Sequence, residues 1–262
     1  MLRKQLSRLL AGAWIASAFA AVASAQEPKV ELEVSSAFLT RYIWNGFDRI
    51  ESYGLGAGPV VQPRVSVGMQ GTPLHVHVGG SFVVNDQSEL HEMVYGVHVE
   101  RWTAPMTRLY LGYNYYDDRV QRAAGVPGLD GHEIWGGLEI RSAIGTRTSI
   151  LSRWENPARE GYDAYTVLVG TIGYGVPLVP AVGAGFGLNL DVHTSGLYTT
   201  AVKQLGVEVI GSGFTAWQVG LAVDLSAGAV AITPSAEYQV SFEDAVNDEN
   251  PFWAGINMSY TF

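Results

Sequence analysis

The chain contains no cysteine, so neither disulfides nor thiolate metal sites hold it together. Charge is also scarce. Asp, Glu, Lys and Arg make up 16% of the 262 residues, where soluble domains carry about 25%. Apolar residues nevertheless reach 47%. Beyond residue 25 no apolar run approaches the roughly 20 residues that a membrane helix needs. The apolar content must therefore be spread in small parcels.

The first 25 residues read separately. Arg3, Lys4 and Arg8 precede an apolar run from Leu9 to Val22, and Ala23-Ser24-Ala25 follows as a small-x-small cleavage signal. This is the pattern of a secretory signal peptide, with the mature chain expected to start near Gln26. Removing three basic and no acidic residues leaves 13 basic against 25 acidic, a net charge of −12. That balance argues against nucleic acid or anionic lipid held by charge.

The remaining sequence alternates. In "PLHVHVGGSFVV" (73–84), Leu74, Val76, Val78, Phe82 and Val84 oppose His75, His77, Gly79 and Ser81. In "AVGAGFGLNLDVH" (181–193), Phe186, Leu188, Leu190 and Val192 oppose Gly187, Asn189, Asp191 and His193. Successive strand side chains point to opposite faces, so each such parcel predicts a strand with one apolar and one polar face. Twelve are predicted: 29–41, 59–70, 73–84, 90–102, 106–116, 131–141, 147–156, 162–174, 181–193, 213–225, 228–242 and 252–262.

The connectors alternate too. Those at 71–72, 103–105, 142–146, 176–181 and 226–228 are short, whereas those at 42–58, 85–89, 117–130, 157–161, 194–212 and 243–251 are mostly longer and more polar. Short turns at one end and long loops at the other, with 10–13-residue strands, predict an all-β fold: a single antiparallel transmembrane β-barrel of about 12 strands in a bacterial outer membrane. The apolar face would meet outer-membrane lipid. Tyr42, Trp44, Trp102, Tyr113, Tyr115, Trp217, Trp253 and Tyr260 fall near strand ends and are expected to form interfacial girdles.

The other face would line the lumen. It carries Arg41, Arg64, His75, His77, Glu92, Arg108, Glu133, Glu139, Arg141, Arg153, Glu155, Asp191 and Glu237, together with Glu31, Glu33, His98, Glu100 and Asp224. Charges of both signs so close would pair. The expected function is a passive porin for small cationic or polar solutes; the alternative is a non-conducting structural or surface-interaction barrel. The acidic loop 243–250, with Glu243, Asp244, Asp248 and Glu249, has no fixed metal-ligand spacing and reads as a solvated loop; no metal or cofactor is expected.

The stretch at 35–67 carries Tyr42-Ile43-Trp44-Asn45-Gly46 and then Gln62-Pro63-Arg64-Val65-Ser66. It resembles the TorF-type family of outer-membrane porins, in which a first strand is followed by a Tyr-x-aromatic-Arg-Gly turn and a Gln-Pro segment. Asn45 stands where the family has Arg. The resemblance implies a barrel and a porin, and no particular substrate. Read alone, Tyr42 and Trp44 are expected at the interface, and Gly46 in a tight turn. Pro63 and Pro234 are expected to bulge or widen the pairing.

Enzymatic activity is not expected. No Gly-x-Ser-x-Gly, HExxH or phosphate loop is present. The third reading, an outer-membrane lipid hydrolase, rests on Asp191, His193 and Ser195 in one row, which resembles the His-x-Ser arrangement of PagL-type deacylases.

The stretch "FWAGINMSYTF" (252–262) reads as a closing strand that pairs with the first. Met258, Tyr260 and Phe262 resemble the C-terminal signal read by barrel-assembly machinery, which implies that machinery as a partner. Deleting Phe262 should lower the amount of heat-modifiable barrel in outer-membrane fractions on denaturing gels; an unchanged amount would refute the signal.

Overall fold

The computed structural model describes residues 30–44, 47–48, 58–69, 72–84, 91–118, 130–157, 163–180, 185–204, 206–243 and 249–262. The expected signal peptide, Asn45, Gly46, Asp244 and Asp248 lie outside them.

Twelve strands close into one antiparallel barrel. In chain order they are β1 (Val30–Leu39), β4 (Val60–Met69), β5 (Leu74–Val83), β6 (His91–Ala104), β7 (Thr107–Asp118), β8 (Gly131–Arg141), β9 (Thr146–Pro157), β10 (Tyr165–Val179), β11 (Phe186–Thr199), β14 (Gly213–Ala227), β15 (Val230–Ser241) and β16 (Phe252–Thr261). Two small hairpins stand in the long connectors: β2 (Ile43–Trp44) with β3 (Phe47–Asp48), and β12 (Val202–Gln204) with β13 (Val207–Ile210). The seam is the pairing of β1 with β16, Glu33–Leu39 running against Gly255–Thr261.

Polarity is inverted relative to a soluble protein. Outward side chains are large and apolar: Leu111 is 56% exposed, Ile150 59% and Ile172 61%. Inward ones are polar and buried: Glu92, Glu133 and Gln239 are at most 2% exposed. The period-2 alternation of the sequence is thus the alternation between exterior and lumen.

The boundaries differ in two places. Residues 176–181, expected as a short turn, belong largely to β10, which runs to Val179 with a bulge between Pro177 and Val179. Residues 194–199, expected as loop, are the last turn-free stretch of β11 and pair with both β10 and β14. Their Thr, Ser and Gly content resembled a loop because this part of the wall needs no continuous apolar face. Farther along, Val202 and Ile210 pack against Tyr165, so the alternating "VKQLGVEVI" forms its own hairpin.

The two prolines widen the pairing without shifting its register. β4 pairs β5 at Val61↔Phe82 and resumes at Arg64↔Gly79, skipping Gln62 and Pro63. β14 pairs β15 at Ala222↔Ser235 and resumes at Leu225↔Ile232, skipping Pro234. Side chains bridge both gaps. Gln62 Nε2 donates to Ser81 Oγ at 3.0 Å, and Thr233 Oγ1 donates to Asp224 Oδ1 at 3.0 Å.

Lumen rings lie flat on the wall where the next strand offers glycine. The Trp135 indole of β8 covers Gly112 of β7, where a Cβ would collide with the ring. Gly112→Val should therefore destabilise the barrel by about 1–3 kcal/mol. The check is thermal unfolding followed by the gel mobility of the folded form; an unchanged transition would show that the ring has another resting place.

Candidate functional site

The barrel encloses a cavity of about 790 Å³. Its wall comes from β1, β4–β9 and the neighbouring β16, which contributes Asn257, together with Tyr42 and Trp44. Glu31, Glu33, Arg64, His75, His77, His98, Glu100, Glu133 and Arg153 reach it. The β1/β4 side is largely charged. Adjoining it on β5–β8 is a ladder of rings: His75 stacks on His98 at 4.8 Å between centroids, His98 meets Trp135 at 5.6 Å, and Trp135 meets Tyr110 at 5.9 Å.

Tyr42 and Trp44 correct an expectation. They do not mark an interface; both line the cavity. Tyr42 is 3% exposed, packs with Val60 and Val83, and its hydroxyl donates to Glu92 Oε1 at 2.8 Å. Trp44 Nε1 donates to Glu155 Oε1 at 3.2 Å. Its ring meets Tyr116 edge-on at 5.2 Å and carries the Arg153 guanidinium at 4.9 Å. Tyr42 and Trp44, just after β1, thus turn inward and rest on β6, β7 and β9. Trp253, also expected in a girdle, falls on the lumen parity of β16 with Asn257. Trp102, Tyr113, Trp217 and Tyr260 are exposed. The Tyr115 hydroxyl donates to Asp130 at 3.2 Å.

Most lumen charges are matched across neighbouring strands. Arg153 faces Glu133 at 3.5 Å, and Asn114 Nδ2 donates to the same carboxylate at 2.9 Å. Arg108 meets Glu139 at 2.8 Å and Glu100 at 3.3 Å, while Arg141 meets Glu139 at 2.6 Å. Arg141 and Arg108 also lie over Trp102, at 4.9 Å and 5.8 Å. Arg41 sits 3.7 Å from Glu249. Glu155 also accepts from the Tyr165 hydroxyl at 2.8 Å.

The other half of the lumen carries a matched network of its own. Arg147 meets Asp191 at 3.1 Å; His193 turns Nδ1 to Asp191 at 3.3 Å and Nε2 to Glu237 at 3.1 Å. Asn189 donates to Asp224 at 3.2 Å, and Gln218 donates to Gln239 at 2.8 Å. His193 and Ser195 share a face as their spacing implies, but the row does not assemble a nucleophile. Both His193 nitrogens face carboxylates, and Ser195 Oγ bonds Thr171 Oγ1 at 2.8 Å. A nucleophilic serine needs a base within hydrogen-bond reach.

Among the described residues, no group of three or more His, Asp or Glu side chains is placed to hold a metal ion. Gln62 and Pro63 line the cavity; Met258, Tyr260 and Phe262 are exposed on the exterior. Sequence reading missed Arg147, Trp135, Tyr110 and Tyr116 as lumen residues. Parity was the available signal: each shares a face with a charged neighbour already assigned inward.

No protein-family model and no curated protein matches the chain. Solved structures do. An outer membrane channel from Pseudomonas putida F1 is similar over 92% of this chain and 98% of that one, at TM-score 0.52 and 9% identity. A NanC porin is similar over 87% and 98%, at TM-score 0.50 and 8% identity. LpxR from Salmonella typhimurium aligns over 88% and 100%, at TM-score 0.47 and 9% identity. The fold is that of outer-membrane β-barrels.

Arg153 supports both Glu133 and Trp44. Arg153→Gln should cost about 3 kcal/mol, because it leaves a buried carboxylate unmatched. Glu133→Gln added to it should recover part of the loss. Urea unfolding midpoints of the barrel in liposomes measure both; a double variant no more stable than the single one would contradict the pairing.

Proposed function

We propose that this chain is a passive outer-membrane channel for small polar solutes. The observation that carries the reading is the 790 Å³ cavity, charged inside, within a closed barrel whose exterior is apolar. An apolar band on a barrel needs lipid around it, and unmatched charge within needs water. The cavity wall holds Glu31, Glu33, Glu100 and Glu133 against Arg64 and Arg153, which favours cations among inorganic ions. The inward Tyr42–Trp44 connector is the constriction. The resemblance at Tyr42–Gly46 and Gln62–Pro63 supports placing the chain with TorF-type porins. The carboxylates around His193 argue against the lipid-hydrolase reading.

Planar-bilayer recording tests this. The barrel should give stepwise currents that favour cations. Replacing both ring side chains (Tyr42→Ala with Trp44→Ala) should enlarge the steps. Silent bilayers with both folded proteins would leave the non-conducting barrel as the better reading.

A further inference from the structure

The matched charges of the lumen set three residues apart. Glu31 and Glu33 of β1 and Arg64 of β4 all line the cavity, and all are exposed within it. Among the described residues none of the three has an oppositely charged side chain within ion-pair distance. The contrast is local. Arg41, Arg108, Arg141, Arg147 and Arg153 each have a carboxylate within 4.0 Å, from 2.6 Å for Arg141 to 3.7 Å for Arg41.

The register places these groups together. β1 and β4 pair at Glu31↔Gly68, Glu33↔Ser66 and Ser35↔Arg64. Arg64 is therefore the diagonal neighbour of Glu33 on one face, and Glu31 continues the row. A guanidinium and two carboxylates thus line one row of the wall and are not joined to each other by an ion pair. Next to them, starting at His75 opposite Gly68, the ladder of His75, His98, Trp135 and Tyr110 continues around the wall. Its volume, about 790 Å³, lies in the range of small-molecule sites.

We propose that this wall is a binding station for zwitterionic solutes of the free α-amino-acid class, with preference for those that carry a ring. Arg64 would take the α-carboxylate through paired N–H donors. Glu33 and Glu31 would take the α-ammonium. The side-chain ring would rest against the adjoining ladder, where offset or edge-on contacts are favourable. An anion alone would meet the two glutamates, and a cation alone would meet Arg64. Only a ligand bearing both charges a few bonds apart matches both. The proposal draws on the channel reading only for how a solute reaches the lumen.

The test uses three compounds with one ring: L-phenylalanine, phenethylamine, which lacks the carboxylate, and 3-phenylpropionate, which lacks the ammonium. Equilibrium dialysis against the detergent-solubilised full barrel measures binding, and potassium chloride conductance in planar bilayers is recorded separately. Phenylalanine should bind at least roughly tenfold more tightly than either analogue, the scale of one charge-assisted hydrogen-bonded contact. Arg64→Gln should erase the advantage over phenethylamine, and Glu33→Gln with Glu31→Gln the advantage over 3-phenylpropionate. Heat-modifiable mobility confirms that each variant is folded. Equal binding of the three compounds, no binding at all, or variants that weaken all three alike would overturn the station. Absent binding with intact conductance would sink the station and leave the channel. Selective binding with silent bilayers would do the reverse.

Discussion

Every backbone N–H and C=O inside a lipid layer must find its partner within the protein, because no water is there to take its place. Closure of the ladder between β1 and β16 meets that demand. The rest of the structure depends on it. Closing a sheet of twelve strands leaves one face outside and one inside, so apolar and polar residues must alternate with a period of two along every strand. The low charge content follows: charge is kept mostly to one face of the wall and to the connectors, with Arg101 and Asp117 as outward exceptions on β6 and β7. The usual core is absent, and Glu92, Glu133 and Gln239 are more deeply buried than most of the leucines.

Closure also creates the problem of the lumen. Twelve strands enclose more space than side chains of average size fill, and less than an open porin needs. The chain solves this unevenly. On β9, β11, β14 and β15, polar and charged groups pair with one another across the wall: Arg147, Asp191, His193, Glu237, Asn189, Asp224, Gln218 and Gln239. On β5–β8, large rings lie flat over glycine and leave space in front of them, as Trp135 does on Gly112. Tyr42 and Trp44 add their rings to the wall of that space.

How much of this was legible in the sequence follows from which interactions are local. Alternation is a property of neighbouring residues, so the number of strands and the inward parity of Arg64, His75, His77, Glu133, Asp191 and Glu237 could be read directly. The trajectory of Tyr42 and Trp44 could not. It is set by Glu92, Tyr116, Arg153 and Glu155, residues 50 to 111 positions away in the cases of Glu92 and Glu155. Interfacial aromatics and lumen aromatics have the same composition and differ only in what lies beneath them. Ion pairing was foreseeable as a class, but which partners meet depends on register: Arg108 reaches Glu139 because those two residues stand directly opposite. The end of β11 was misjudged because Thr, Ser and Gly serve equally in loops and in a wall that packs against a hairpin.

Pairing bears on wetness as well as on rigidity. A matched, hydrogen-bonded pair such as Arg147–Asp191 can persist in a nearly dry filling, since each charge replaces the other's water. An isolated carboxylate or guanidinium cannot do so without a penalty of several kcal/mol. Among the described residues, Glu31, Glu33 and Arg64 stand without an ion-pair partner, and all three are exposed to the cavity. The β1/β4 side of the lumen must therefore hold water or a charged guest, whereas the β11/β14/β15 side need hold neither. The division between matched and unmatched charge thus divides the wall into a packed buttress and a wetted surface, and the wetted surface adjoins the strand at which the barrel closes.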